Sequence, residues 1–239
     1  MDGKQASLMA TDPPYLVDYK GGERPASKSR PEPISGSKRS SARATQKNAR
    51  NWDAYHDPET SVEFYVMFLT EALKHLKPHS AVYQWHASRR QALVEEAWGQ
   101  VGLLVHQTIV WVKDRPVLTH SHYLWQTEPC FYGWLEGQQP KLKPPATESN
   151  VWGVHHEGWQ DGLHPTQKPV ELFTKPIEFH TRPGDILYEP FSGSGTQLIA
   201  AERTGRICYA LEQEPVYCDV ARARWEAFTG EKAVRESAP

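Results

Sequence analysis

The sequence predicts an α/β fold, a Rossmann-like sheet with helices on both faces, and three observations favour it. Short, mostly apolar segments have the length of buried strands. Amphipathic segments with helical spacing follow them, which is the order of a largely parallel sheet. Pro- and Gly-containing turns separate the two. The expected strands are 6–10, 81–85, 103–112, 121–125, 129–132, 186–189 and 207–211, and the expected helices are 60–77, 88–100, 170–181, 197–204 and 215–229.

The composition indicates one globular domain. At 239 residues the chain can bury a sizeable core, and its mean hydropathy of −0.66 reflects a polar surface. No apolar run approaches the roughly 18 residues that cross a bilayer, and no secretory signal is expected. The three cysteines lie far apart without a C-x-x-C pair, so neither a disulfide framework nor a zinc site is expected. This usage fits a reducing, cytoplasmic setting.

A basic arm interrupts an otherwise acidic chain. Residues 20–50 carry nine Lys or Arg and two acids, which is a net charge of +7. Since the formal net charge of the whole chain is −2, the rest of the chain carries −9. The arm lacks helical or strand periodicity, and we expect it to be mobile when free. The favoured interpretation of this arm is a closing loop that contacts DNA phosphates. The alternative is a solvated linker. The candidate contacts in this arm are Lys38, Arg39, Arg43, Lys47 and Arg50.

The first motif is Thr11-Asp12-Pro13-Pro14-Tyr15, directly after the strand 6–10. Two prolines end the strand and stiffen its exit, because each fixes its own φ and lacks a donor N–H. Asp12 and the Pro13 carbonyl are therefore two neighbouring acceptors, suited to hold both hydrogens of an amino group. Tyr15 adds a flat face for stacking a planar ring. The alternative is a plain proline turn.

The second motif is Pro190-Phe191-Ser192-Gly193-Ser194-Gly195-Thr196, between the strand 186–189 and a helix. Its glycines allow close approach of a ligand to the backbone, and a helix N-terminus offers free N–H groups. Glu212 follows the next strand, where it could accept from two ribose hydroxyls. Leu198 replaces the third glycine of a dinucleotide motif, and no Gly-Lys-[Ser/Thr] follows. The pattern favours a nucleoside with a small zwitterionic tail over a pyrophosphate, and a structural turn is the alternative.

Two histidine pairs, His120/His122 and His155/His156, raise the question of a metal site. No cysteine or carboxylate cluster completes either pair, so no metal is expected.

Together the two motifs resemble those of the DNA methyltransferases that methylate amino groups with S-adenosylmethionine. The Pro-Pro-Tyr motif comes first and the glycine motif last, as in the permuted β group of that family. The segments His164-Pro165-Thr166-Gln167-Lys168-Pro169 and Trp111-Val112-Lys113 … His122-Tyr123 … Glu128-Pro129 … Tyr132-Gly133 resemble that group too. The resemblance is strongest to phage-like or solitary modification methylases. It covers the chain except the basic arm, residues 137–163 and the C-terminal tail.

The resemblance implies a class I methyltransferase sheet with permuted motif order and the following site. Asp12, Pro13, Pro14 and Tyr15 would be catalytic, Glu212 would bind the ribose, and Thr166 and Lys168 would bind the methionine carboxylate. Many relatives have Asp where this chain has Glu189. The full expected cofactor set is Thr166, Lys168, Glu189, Pro190, Phe191, Ser192, Gly193, Ser194, Gly195, Thr196 and Glu212. Lys113 and His122 join the five arm residues as DNA contacts.

The expected activity is methylation of the N6 amine of adenine in a short sequence of double-stranded DNA, after the base flips out of the helix. Asp at the first motif position favours adenine by family habit. The alternatives are an N4-cytosine DNA methyltransferase and a DNA-binding module of the same fold without turnover. An RNA or protein methyltransferase is disfavoured because those enzymes mostly place the glycine turn first.

The expected organisation is a single catalytic domain over 1–239. It contains the basic loop 20–50 and a small target-recognition insertion at 134–163. Related enzymes usually carry some tens of residues before the Pro-Pro-Tyr strand, so the N-terminal part is expected to be short. A fragment, a module cut from a longer protein, a mis-assigned start, or a partner subunit that completes the sheet would each explain this. A cytoplasmic enzyme of bacterial or phage origin is expected.

Overall fold

The computed structural model describes residues 1, 3–17, 58–117, 122–155 and 167–236. The described residues form a seven-stranded sheet in the order β5-β3-β4-β2-β1-β6-β7. The strands are β1 (Ala6–Thr11), β2 (Leu76–Trp85), β3 (Leu103–Val117), β4 (Trp125–Leu135), β5 (Val151–Trp152), β6 (Ile186–Glu189) and β7 (Ile207–Ala210). The helices are α1 (Pro58–Leu73), α2 (Gln91–Gln100), α3 (Glu171–His180), α4 (Thr196–Thr204) and α5 (Pro215–Thr229), with a short 3-10 turn at Ser88–Arg90.

The centre of the sheet is parallel. β1 pairs in parallel with both β2 and β6, so that Met9 lies beside Val82 on one side and Tyr188 on the other. β6 and β7 are also parallel, whereas β4 runs antiparallel to β2 and β3. The carboxyl ends of β1, β2, β6 and β7 therefore meet at one edge of the sheet, which is the edge where open α/β sheets bind ligands.

Helices cover both faces of this sheet, which confirms the predicted fold class. On one face, Tyr65, Leu69 and Trp98 from α1 and α2 are buried in one apolar cluster. On the other face, Leu172 and Ala200 from α3 and α4 are buried in a second cluster. Burial on both faces explains why the central strands read as continuous apolar runs.

The boundaries of several elements differ from the sequence prediction. α1 ends at Leu73 rather than near residue 77, because β2 already begins at Leu76. The two short strands expected at 121–125 and 129–132 are replaced by the single strand β4, and β3 continues to Val117. These two strands pair from Leu103 with Leu135 to Val117 with Trp125. The pairing between β3 and β4 extends both strands. The sequence of either strand alone carries no information about its partner, so its pattern does not predict this length.

The C-terminal end of α4 follows a local sequence signal. Gly205 ends α4 in the left-handed conformation, with φ of 70°, as predicted for a helix C-terminal glycine. No helix within the described ranges is long and apolar enough to cross a membrane.

Candidate active site

The two motifs of the sequence lie at neighbouring strand ends. β1 ends at Thr11 and β6 ends at Glu189, and the Thr11 hydroxyl donates a hydrogen bond to the Glu189 carboxylate at 2.7 Å. From these two strands the sheet continues in opposite directions, to β2 on one side and β7 on the other. This is the topological switch point of the sheet, where a crevice for a ligand forms.

The Pro-Pro-Tyr loop is fixed by hydrogen bonds to its backbone. The Tyr65 hydroxyl donates to the Pro14 carbonyl at 3.1 Å, and the Arg90 guanidinium donates to the Leu16 carbonyl at 2.7 Å. Leu16 has a φ of 55°, in the left-handed region that costs a residue with a side chain roughly 1–2 kcal/mol. The contacts of Arg90 and the burial of Leu16 at 3% exposure hold the loop in this strained conformation.

A buried lysine lies at the centre of the catalytic motif. The Lys168 side chain is 6% exposed, and its ammonium donates to Asp12 Oδ2 at 2.6 Å, to the Tyr15 hydroxyl at 2.8 Å and to Glu128 Oε1 at 2.6 Å. The Tyr15 hydroxyl itself lies 2.8 Å from Asp12 Oδ1 and 2.5 Å from Glu128 Oε1. Lys113 pairs with the other oxygen of Glu128 at 2.6 Å. We call Asp12, Tyr15, Lys113, Glu128 and Lys168 the catalytic-motif cluster.

The protonation states in this cluster follow from its opposite charges. Burial alone would raise the pKa of Glu128, but the ammonium groups of Lys168 and Lys113 lower it to about 2. Burial disfavours the charged form of Lys168, but the Asp12 and Glu128 carboxylates raise its pKa above the ordinary value. Burial and the same two carboxylates raise the pKa of Tyr15 well above its ordinary value. At neutral pH Glu128 and Lys168 are therefore charged, and Tyr15 keeps its proton.

The glycine turn is held from both ends. The Gly193 N–H donates to Glu212 Oε2 at 2.7 Å, and the Ser192 N–H donates to the Leu211 carbonyl at 2.8 Å, so the end of β7 supports the turn. The Arg224 guanidinium of α5 donates to the Ser194 carbonyl at 2.6 Å. The turn therefore presents a fixed backbone at the N-terminus of α4, which suits the binding of a carboxylate.

Glu189 connects the two motifs. The oxygens of its buried carboxyl group accept from the Thr11 hydroxyl, from the Phe191 N–H at 2.7 Å and from the Gln197 side-chain amide. Burial raises the pKa of Glu189 to about 8, although these three donors act in the opposite direction. Its contacts tie the end of β1 to the start of the glycine turn.

The turn has features that fit a bound nucleoside cofactor. A Cβ added at Gly193 would meet no atom within 4 Å, whereas a Cβ at Gly195 would lie 2.8 Å from the Ala221 side chain. Gly193 thus leaves open space on the side where a side chain would project, and the missing side chain of Gly195 allows α5 to approach. The buried Ser192 hydroxyl has no hydrogen-bond partner among the described residues, so it can serve a ligand.

A comparison with protein-family models identifies the family. Residues 6–223 match the N6_N4_Mtase model, described as a DNA methylase. The chain belongs to this family of DNA methylases. The match includes both motifs, the catalytic-motif cluster and the glycine turn, and the family uses S-adenosylmethionine as methyl donor.

Curated relatives and solved structures agree with the family assignment. The Type II methyltransferase M2.DpnII of Streptococcus pneumoniae is 26% identical over 243 residues, with 95% of this chain and 85% of the relative covered. M2.MboI of Moraxella bovis is 24% identical over 196 residues, which cover 76% of this chain and 72% of the relative.

Two of the similar solved structures support the fold. The M1.HpyAVI–SAM complex has a TM-score of 0.65 at 21% identity, and the match covers 94% of this chain and 90% of that one. The cytosine-N4-specific PvuII DNA methyltransferase has a TM-score of 0.68 at 16% identity, with 94% and 82% covered.

The structure of this DNA methylase places the predicted site residues as follows. Asp12 to Tyr15 and the glycine turn lie together at the switch point, and Glu212 lies behind the turn. Lys168 is part of the catalytic-motif cluster, where it contacts Asp12, Tyr15 and Glu128, and its predicted contact with the methionine carboxylate stays a prediction. Lys113 is paired with Glu128, and His122 is exposed at the β3–β4 end of the sheet. Thr166 and the arm residues Lys38, Arg39, Arg43, Lys47 and Arg50 lie outside the described residues, as do His120 and His156.

Glu128 is the site residue that sequence reasoning missed. It is a carboxylate on β4, and its side chain is 13% exposed. An acid directly before Pro129 in the aromatic run of β4 was the available signal, because a charge on a buried strand needs a partner. The partners Lys113 and Lys168 come from distant parts of the chain.

Proposed function

We propose that this DNA methyltransferase transfers a methyl group from S-adenosylmethionine to the N6 amine of adenine in double-stranded DNA. The observation that carries the proposal is the position of Asp12 and Tyr15, at the strand end next to the glycine turn. An acceptor for an amine and a site for a nucleoside cofactor are then neighbours. The target amine and the methyl group of the cofactor would therefore meet at the switch point.

The glycine turn is proposed to hold the cofactor. The free N–H groups at the start of α4 and the Ser192 hydroxyl would bind its methionine part, and Glu212 would accept from the ribose hydroxyls. Thr166 is kept as a proposed ligand of the methionine carboxylate. Lys168 is kept as a second one, and to reach that carboxylate its ammonium would exchange one of its contacts with Asp12, Tyr15 and Glu128. Pro190 and Phe191 would line the turn. When bound, the cofactor supplies an electrophilic methyl group on a sulfonium.

The catalytic motif is proposed to activate the target amine. The lone pair of an aryl amine is delocalised into its ring, so the amine is a poor nucleophile. If Asp12 and the Pro13 carbonyl accept its two hydrogens, the nitrogen becomes more tetrahedral and its lone pair points away from the ring. Positive charge would grow on the nitrogen as the new N–C bond forms and the methyl–sulfur bond breaks, with the electron pair of that bond left on a neutral thioether. The two acceptors would stabilise the developing charge more than they stabilise the ground state. The methylated nitrogen then loses one proton, for which Asp12 is the adjacent acceptor.

Tyr15 and the DNA contacts are proposed to present the base. A base inside the duplex cannot reach the switch point, so it must leave the stack and lie against the Tyr15 ring. Residues 134–163 are proposed to read the target sequence, and the basic arm with Lys113 and His122 to contact the DNA.

The relatives named Type II methyltransferases favour a role in restriction and modification in the bacterial cytoplasm. A homodimer is the assembly to test by light scattering.

The identity of the methylated base is the test of this proposal. Unmethylated plasmid is incubated with the protein and labelled S-adenosylmethionine, then digested to nucleosides for mass analysis. We expect labelled N6-methyladenine. Labelled N4-methylcytosine would assign the enzyme to the cytosine-specific branch, for which the likeness to the PvuII enzyme is the supporting observation. Absence of label with folded protein would favour a DNA-binding module without turnover.

A further inference from the structure

We propose that Glu128 is a positioning residue for methyl transfer, which holds the Tyr15 hydroxyl and the Lys168 ammonium so that one oxygen of Asp12 stays free for the target amine. This inference rests on the proposed function of the same site. Glu128 is not expected to touch the substrate. It acts through the two side chains that contact Asp12.

The Tyr15 hydroxyl has one proton and two carboxylate acceptors within reach. Asp12 Oδ1 lies at 2.8 Å and Glu128 Oε1 at 2.5 Å. If Tyr15 donates to Asp12, it occupies the oxygen that the amine needs. If Tyr15 donates to Glu128, that oxygen is free. The shorter distance favours donation to Glu128.

The orientation of the Asp12 carboxylate depends on Lys168. Asp12 Oδ2 accepts from the lysine at 2.6 Å, which fixes the carboxylate plane and leaves Oδ1 as the oxygen for the amine. The same ammonium donates to Glu128 at 2.6 Å and to the Tyr15 hydroxyl at 2.8 Å, so all three of its protons are used. Glu128 thus holds the lysine that orients Asp12.

Glu128 is itself fixed by its neighbours. Its Oε2 pairs with Lys113 at 2.6 Å, and its Oε1 accepts from Lys168 and Tyr15. A carboxylate with a cation on each oxygen keeps its charge and its position. A buried acceptor of this strength retains the tyrosine proton better than a neutral amide would.

The decisive experiment is a mutant cycle between Glu128 and Tyr15. Single-turnover methyl transfer is measured at saturating DNA and S-adenosylmethionine, and cofactor affinity is measured by calorimetry. We expect Glu128→Gln to slow transfer by roughly 100-fold through misplacement of the acceptor, with cofactor affinity unchanged. Tyr15→Phe keeps the ring and removes the competing proton donor. Glu128→Gln/Tyr15→Phe should therefore be roughly tenfold faster than Glu128→Gln alone.

The pH dependence of the rate provides a readout that a purely structural role would not move. Without the Glu128 charge, burial lowers the pKa of Lys168 with only Asp12 to oppose it. The rate of Glu128→Gln should then fall at a lower alkaline pH than the rate of the wild type. The titratable or charged groups that face Lys168 are Asp12 and Tyr15 at the end of β1, His86 after β2, Lys113 on β3, and Glu128 and Cys130 on β4.

Two further variants keep the test decisive. Lys113→Gln/Glu128→Gln removes one cation together with the anion, so it serves if Glu128→Gln alone does not fold, and we expect the same slow transfer. The matched control is Glu226→Gln. This glutamate of α5 also pairs with two cations, Arg222 and Lys232, and it contacts none of the proposed site residues that the structure describes, so we expect the wild-type rate.

The outcomes separate the two proposals. Wild-type transfer with an unchanged rate in Glu128→Gln would overturn the role of Glu128 alone. Failure of Tyr15→Phe to restore any rate would mean that Glu128 acts only through the fold, which also overturns the inference. No transfer by folded wild-type protein would overturn the proposed function and this inference with it.

Discussion

Asp12 has the most direct chemical role proposed for a single residue. Asp12→Asn keeps an acceptor oxygen but loses the charge that would stabilise the developing cation. We expect a loss of roughly 100-fold or more in the single-turnover rate, with cofactor affinity unchanged, because loss of one charge-stabilising group typically costs that much. The matched control is Asp185→Asn, which lies before β6 at the opposite edge of the sheet. A normal rate in Asp12→Asn would contradict the proposed mechanism.

Glu189 gives a prediction about pH and stability. Burial raises its pKa to about 8, from 4.5 as its ordinary value, so between these values the unfolded chain is ionised while the folded protein holds a proton. The free energy of unfolding therefore falls as the pH rises, by about 1.4 kcal/mol per unit from this group. The contribution is fully present below about pH 4.5 and lost above about pH 8.

Glu189→Gln should remove this dependence. Urea unfolding of both proteins across the pH series measures it, and the stability of the wild type relative to the variant should decline toward pH 8. Parallel curves for the two proteins would show that the carboxyl group does not titrate in this range.

At the scale of the elements, the glycine turn makes a prediction with an internal control. Gly195 has a φ of 78°, and an added Cβ would lie 2.8 Å from the Ala221 side chain, so Gly195→Ala strains the backbone and displaces α5. We expect the free energy of unfolding to fall by about 2–3 kcal/mol. Gly193 has a φ of 52° and no atom within 4 Å of an added Cβ. Gly193→Ala should cost only about 1 kcal/mol, the strain alone.

For S-adenosylmethionine affinity we expect the opposite order, with the larger loss in Gly193→Ala rather than in Gly195→Ala. The side chain added in Gly193→Ala would enter the space proposed for the ligand, so this variant should weaken S-adenosylmethionine binding more than its small loss of stability suggests. Calorimetry and urea unfolding on the same preparations measure both quantities. Equal losses of stability in the two variants would contradict the packing described at Gly195.

The elements also show how far a sequence pattern reaches. β1, β6, the glycine turn and the end of α4 at Gly205 were predicted because their signals are local, namely an apolar run closed by Pro or Gly. The length of β4 and the whole of strand β5 were missed, because both depend on partners on other strands. The contact of Lys168 with Asp12 joins residues 156 positions apart, and that of Tyr15 with Glu128 spans 113. No periodicity carries information over such distances.

At the scale of the whole molecule, charge distribution determines a prediction for DNA binding. The basic arm carries +7 and the remainder −9, so attraction to DNA phosphates should depend on the arm. Neutralising Lys38, Arg39, Arg43, Lys47 and Arg50 to Gln should reduce the slope of log affinity against log salt by up to about 0.9 for each phosphate that the arm no longer neutralises. Fluorescence anisotropy with a duplex at several salt concentrations measures the slope. An unchanged slope would mean that the arm does not bind phosphates.

The bond between Arg224 and the Ser194 carbonyl has a consequence for the C-terminal end of the fold. Together with the packing of Ala221 on Gly195, it ties α5 to the glycine turn, so we expect the two to open as one unit. Local opening of that helix must break the same contacts that hold the turn. A ligand that binds the turn should therefore slow amide hydrogen exchange in Pro215–Thr229 as well, although those residues lie far along the chain from the loop it occupies.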